Sequence, residues 1–204
     1  MADIRERSPL RPFPEVHGLG LRLTSWDVGS EEHVETWLRG LTDPDFLRWN
    51  TPLRLVGDRE SARESLRSKV EAAESGTGMT FRITDAASGA TLGSISLNEL
   101  SLALRVTRVG YWVLPEARGH RVAARALALA AHFAFTDLGL HRVELGHALG
   151  HDVSCRVAER CGFRYEGTLR GAMFEAGRQD AFRDVHLHAR IATDPEPAIP
   201  SPSA

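Results

Sequence analysis

Lysine is almost missing from this chain: Lys69 stands alone among 25 Lys and Arg residues. Arginine therefore carries the positive charge, and 27 Asp and Glu bring the formal net charge to -2. No basic face is hinted at, which argues against a nucleic-acid binder. Cysteine is scarce as well. Cys155 and Cys161 stand six apart in a helical stretch, which turns them to different faces and excludes a disulfide between them. They are expected as free thiols in a reducing compartment. No run of about 18 apolar residues exists, so a membrane span is excluded. The opening MADIRERSPLRPFPE lacks the apolar core of a secretory leader, and the expected location is cytoplasmic. Two common phosphate loops are also absent. There is no Gly-x4-Gly-Lys-Ser/Thr, and no Gly-x-Gly-x-x-Gly follows a strand.

What is there fits one domain. A length of 204 residues allows a proper core, and 42% hydrophobic with 25% charged residues is ordinary for a soluble globular protein. Residues 1–18 are polar and proline-broken, a loosely ordered lead-in. Leu19–Trp26 alternates like a first strand. Ser30 caps a helix with Val34, Trp37, Leu38 and Leu41 at helical spacing, Asp43-Pro44 opens a second, and Arg59–Ser75 reads as a third. Strands are then expected at Met79–Asp85, Thr91–Leu97 and Leu102–Leu114, followed by a helix from Val122 to Thr136. His141–Ala148 reads as a strand, Asp152–Cys161 as a helix, and Phe163–Phe174 with Phe182–Ala192 as a closing hairpin around 175–178. The result is an α+β fold with a mixed, mostly antiparallel, seven-stranded sheet over residues 19–192. Residues 193–204, rich in proline, are expected to be a disordered tail.

The most informative stretch is Tyr111–Ala126, YWVLPEARGHRVAARA. A strand hands over to a helix through a tight turn, leaving first-turn N–H groups without internal acceptors. Those donors and the positive helix end suit a pyrophosphate. Arg118, Arg121 and Arg125 add charge, and small residues at Gly119, Ala123 and Ala124 let a ligand approach the backbone.

This stretch resembles the acyl-CoA loop of the GNAT N-acetyltransferases, whose pattern is Gln/Arg-x-x-Gly-x-Gly/Ala. Arg118 takes the first position and Ala123 the last, while Arg121 replaces the usual glycine. The likeness extends from about Leu19 to Ile191 and is sharpest for the Rim-type ribosomal-protein N-terminal acetyltransferases. Ser154, Gly162-Phe163, Glu166-Gly167, Leu169, Arg170 and Asp184 match the second half of that branch, and Gly93-Ser94-Ile95, Gly110-Tyr111-Trp112 and Trp49 the first. Three positions depart from it: His151 replaces a turn asparagine, Arg108 a strand glutamate, and Met173 a glutamate proposed as base.

The resemblance implies a GNAT fold with splayed central strands, and acetyl-CoA as acyl donor for a primary amine. A protein or peptide N-terminus is the first expected acceptor and a small amine the second. A non-catalytic acyl-CoA-binding domain remains the alternative, as does another donor such as succinyl-CoA. Val113, Leu114, Arg118, Gly119, His120, Arg121, Val122, Ala123, His151 and Ser154 are the residues expected at the cofactor, with a freed N–H near Leu114 meeting the oxyanion. Ser154 fits the family's acid toward the leaving sulfur, against a plain helix-start hydroxyl bonded to backbone. His147 could serve as base through a water, against a packed strand residue. Glu99 and Glu166 are weaker candidates. Trp49, Tyr111, Glu166 and Met173 are expected on the acceptor side, although aromatic residues at element ends are more often core. No metal is expected: His147 and His151 flank a strand end, and His186 with His188 reads as a solvated or core pair on one strand face. A monomer or homodimer is the expected assembly.

Overall fold

The computed structural model describes residues 13–50, 52, 54–175 and 178–198. Its elements run β1 (Val16–Gly18), β2 (Leu21–Ser25), α1 (Glu31–Thr42), α2 (Pro44–Trp49), α3 (Arg59–Glu74), β3 (Met79–Asp85), β4 (Thr91–Ser101) and β5 (Val106–Val113). A single turn at Pro115–Ala117 leads into α4 (Val122–Thr136), followed by β6 (Arg142–Ala148), α5 (Asp152–Arg160), β7 (Arg164–Phe174) and β8 (Phe182–Ile191). All strands join one sheet in the order β1-β2-β3-β4-β5-β6-β8-β7, antiparallel throughout except at β5–β6.

The sheet has eight strands rather than seven. Val16–Gly18, within the expected lead-in, pairs with Leu21–Leu23 across a tight turn in which Leu19 and Gly20 both take positive φ. The first strand consequently begins at Leu21. The long strand expected from Leu102 begins instead at Val106. Leu102–Arg105 is a turn, fixed by Leu104 N–H donating to Ser101 Oγ and by Arg105 at φ 56°, and Leu104 is 79% exposed. Two leucines on a surface turn imitate the start of a strand. Past β8, Asp194 and Glu196 pair with Arg164 and Arg190, so the start of the expected tail is anchored. The hairpin turn expected at 175–178 includes 176 and 177, which lie outside the described residues.

Alternation sorts the sheet's side chains onto two cores. One face carries Phe81, Ile83, Ile95, Leu97, Val109, Val143 and Leu145 against α4, α5 and each other. Helix α4 is apolar on nearly every side, as a helix enclosed between sheet and α5 must be. The other face gathers Trp26, Trp37 and Trp112 with α1 and α3, their rings 5.2 to 6.2 Å apart. Gly40 is forced by this cluster: a Cβ there would lie 2.4 Å from the Trp112 ring.

Candidate active site

The seam between β5 and β6 closes at one end only. Parallel pairing runs from Val106–Arg142 to Val109–Leu145 and stops. Beyond it β5 continues to Val113 and β6 to Ala148 without pairing to each other. On its other edge β5 remains tied to β4 through Gly93–Val113, and Leu114 N–H donates to the Leu92 carbonyl at 2.9 Å. Antiparallel ladders alternate, so if Leu114 and Trp112 donate toward β4, the N–H groups of Tyr111 and Val113 project into the vacated gap. The freed donor expected near Leu114 is therefore the Val113 N–H. Leu92, opposite Leu114, is an extra residue between the Ile83–Gly93 and Thr84–Thr91 pairs, a bulge on the β3 side of β4. Gly93 accommodates it; a Cβ there would stand 2.2 Å from the Trp112 carbonyl oxygen.

Helix starts distinguish this end of the molecule. Ser30, Asp43 and Asp58 cap α1, α2 and α3 with side-chain oxygens. Neither α4 nor α5 has a side-chain cap, and both follow directly from the parting ends of β5 and β6. The first internal bond of α4 is Arg125 N–H to the Arg121 carbonyl, which leaves the N–H groups of Val122, Ala123 and Ala124 without helical acceptors. Gly119 lies at φ 83° and Arg121 at φ 56°, the left-handed conformation that explains why glycine is usual at the latter position. His120 and Arg121 are exposed around the turn.

The other two arginines of the motif are committed elsewhere. Arg118 Nε donates to the Val113 carbonyl at 3.1 Å, while its terminal nitrogens bind Asp43 and Asp45. Its side chain thus clamps α2 to the end of β5 instead of turning toward the start of α4. Arg125 is 6% exposed and donates to the carbonyls of Leu19 and His120, holding the turn from behind.

Across the gap, Tyr111 Oη and Ser154 Oγ meet at 2.9 Å. Ser154 bonds to this phenol, so the plain backbone-capping role does not describe it. Burial holds the Tyr111 phenol well above its ordinary pKa, so it keeps its proton; the bond to Ser154 pulls weakly the other way. His151, at the start of α5, stacks on Trp49 at 4.5 Å with the rings nearly parallel. Burial first, then the nearby charges of His147 and Arg183, push its pKa down to about 4. Arg48 and Arg183 lie 4.9 and 5.9 Å from the Trp49 ring. Met173 pairs with Arg183 along β7–β8, at the same corner.

Three expected acid–base candidates find other partners. His147 is 5% exposed, with Nδ1 3.1 Å from the Ala148 carbonyl and Nε2 3.3 Å from His188 Nε2. Nδ1 is held at a carbonyl, Nε2 faces the His188 ring, and burial lowers its pKa, so the side chain sits packed in the core. Glu166 forms a two-pronged ion pair with Arg142, at the closed end of the seam, and so is not on the acceptor side. Glu99 pairs with Arg108 on the surface.

Sequence reasoning missed the Asp43–Asp45 clamp on Arg118, separated from it by more than 70 positions. It also missed a meeting of His147, His186 and His188 with Cys155. The only signal for the latter was His-x-His on one strand face. Among the described residues, no helix is long and apolar enough to cross a membrane.

Several known proteins share these features. The curated relative named "Putative ribosomal N-acetyltransferase YdaF", from Bacillus subtilis, is 35% identical over 89 residues, covering 44% of this chain and 49% of that protein. A spermidine N(1)-acetyltransferase from Vibrio cholerae is 29% identical, covering 47% and 56%. The matches thus span about half the length of these curated relatives. Among solved structures, Mycobacterium smegmatis RimJ in complex with CoA-disulfide superposes with a TM-score of 0.74 at 26% identity, over 88% of this chain and 86% of that one. RimL, a ribosomal L7/L12 alpha-N-protein acetyltransferase in complex with coenzyme A, gives 0.75 at 19% identity, over 87% and 98%, and speaks for the fold alone. Residues 22–164 match the family model described as an acetyltransferase (GNAT) domain, and with its parted strands and open α4 start this chain belongs to the GNAT acetyltransferase family.

Proposed function

We propose that this chain transfers the acetyl group of acetyl-CoA to a primary amine, foremost the α-amine of a protein or peptide N-terminus. The observation that carries the reading is the gap between β5 and β6, which opens at the uncapped start of α4. In this reading the diphosphate lies on the N–H groups of Val122, Ala123 and Ala124, with Gly119, His120 and Arg121 around it. The pantetheine arm lies along the vacated edge of β5. The amine nitrogen attacks the thioester carbon, and the Val113 N–H meets the oxygen as it gains charge. When the carbon–sulfur bond breaks, Ser154 gives its proton to the thiolate and recovers one through Tyr111 and solvent. The ammonium proton leaves to water.

His147, Glu99 and Glu166, the groups weighed as base, are all engaged with other partners, which bears on the acceptor. A lysine amine is about one part in a thousand neutral at physiological pH, whereas an α-amine is neutral about a quarter of the time. The relative named as a putative ribosomal N-acetyltransferase supports the peptide acceptor.

The test is release of free thiol from acetyl-CoA with three acceptors: an N-terminal peptide, the same peptide α-blocked but bearing lysine, and spermidine. The first is expected to react fastest. Preference for spermidine would move the assignment to a small-amine acetyltransferase. Acetyl-CoA binding by calorimetry without release on any acceptor would make it a binding domain, and no binding would defeat the proposal entirely.

A further inference from the structure

Behind the open seam, on the face covered by α5, four potential metal ligands converge from three elements. His147 comes from β6, His186 and His188 from β8, and Cys155 from α5. His147 is the cross-strand partner of His186, and His188 lies two residues along the same face. One ligand atom from each residue falls within 4.8 Å of all the others.

The measured edges have the size that a small tetrahedral ion requires. With metal–nitrogen bonds near 2.0 Å and metal–sulfur near 2.3 Å, a tetrahedron has edges of about 3.3 Å between nitrogens and about 3.5 Å from nitrogen to sulfur. His147 Nε2 and His188 Nε2 are 3.3 Å apart, and Cys155 Sγ is 3.6 Å from the same His188 nitrogen. The longer edges close by side-chain rotation at His186 and Cys155, which are only half-buried, while His147 and His188 are fixed in the core.

The protons are arranged for it too. A carbonyl can only accept, so the contact to Ala148 puts the hydrogen of neutral His147 on Nδ1 and leaves the Nε2 lone pair facing the cluster. His188 Nδ1 is buried without a hydrogen-bond partner, and its Nε2 faces that of His147 at 3.3 Å. A single proton between the two Nε2 atoms satisfies the neutral pair, and a cation held by both would take its place. Imidazole with thiolate is the donor set of Zn²⁺ and its neighbours rather than of Mg²⁺ or Ca²⁺.

We propose that His147, His186, His188 and Cys155 form a tetrahedral site for a divalent cation of the Zn²⁺ class. On binding, the Cys155 thiol loses its proton, with the Glu159 carboxylate 3.7 Å away to receive it, and sulfur bonds to the metal. The ion then staples α5, and with it Ser154, to β6 and β8. The proposal depends on these four side chains and not on the acetyl-transfer reading.

The test uses tag-free full-length protein, stripped with chelator and titrated with Co²⁺ under a non-thiol reductant. One equivalent should give the intense visible bands of tetrahedral Co²⁺ and a near-ultraviolet thiolate-to-metal band, both abolished by one equivalent of Zn²⁺. Cys155→Ser should remove the thiolate band. His186→Gln, at a half-buried position the fold tolerates, should weaken binding on the order of a hundredfold, a loss that even outer-shell changes can reach at metal sites. Zn²⁺ should raise the Tm of the wild type and not of Cys155→Ser. Weak octahedral spectra, binding below one equivalent, or affinity unchanged in both variants would overturn the site and assign any bound ion to other histidines.

Discussion

The two ends of the β5–β6 seam are built from opposite materials. At the closed end the backbone groups pair with each other and charged side chains pair above them: Arg108 with Glu99 and Glu144, and Arg142 with Glu144 and Glu166. At the open end Tyr111 bonds Ser154 and His151 stacks on Trp49, the charged groups (Arg118 with Asp43 and Asp45, Arg48 and Arg183) lie around them, and it is the backbone between the two strands that is unpaired. Exposed ion pairs fasten a surface cheaply and bind nothing else. Free N–H groups beside neutral, half-buried side chains keep their capacity for a ligand, and a developing negative charge there meets little competing solvent.

The largest way to break this contrast is to disturb the pairing of β5 with β4. Gly93→Val places side-chain atoms against the backbone of Trp112 and should cost about 2–4 kcal/mol by thermal or denaturant unfolding, with acetyl-CoA binding lost alongside. Full stability in that variant would mean that β4 does not set the position of β5. Ser154→Ala is next: kcat should fall by about a hundredfold while the affinity for acetyl-CoA holds, as expected of a lost general acid. An unchanged kcat would return Ser154 to a packing role. Ala123→Asp separates binding from folding. A carboxylate in the first turn favours the helix dipole, so Tm should hold or rise, while KM for acetyl-CoA rises about tenfold by repulsion of the phosphates. If KM stays put, the diphosphate does not lie there. Smallest of all, Glu166→Gln at the closed end should change stability by less than about 1 kcal/mol and leave kcat/KM unaltered. A large drop in activity would restore Glu166 to the acceptor side.

Local pattern made the fold readable. Alternation, helical spacing and glycine stops located α1 to α5 and most strands, with Ser30 and Asp43 as caps for the first two, and the turn before α4 was visible because strand, small residues and helix follow one another in the chain. Ladder phase was not visible. Which of Val113 and Leu114 turns its N–H into the gap is set by how β5 pairs with β4, about twenty residues away. Arg118 carried no mark of Asp43 and Asp45, and His147 none of His188, because those partnerships exist only after distant segments meet. Glu166 matched its family motif in order, yet its pairing with Arg142 is decided by how β7 folds against the neighbouring strands.

Arg125 gives the turn before α4 an unexpected dependency. Its buried guanidinium reaches from the carbonyl of His120, inside the turn, to that of Leu19, in the hairpin that opens the sheet. The turn is therefore not a portable cassette. Grafted into another scaffold as residues 115–126 alone, it would bury a cation with half its acceptors missing, and would relax into a different shape before any nucleotide arrived.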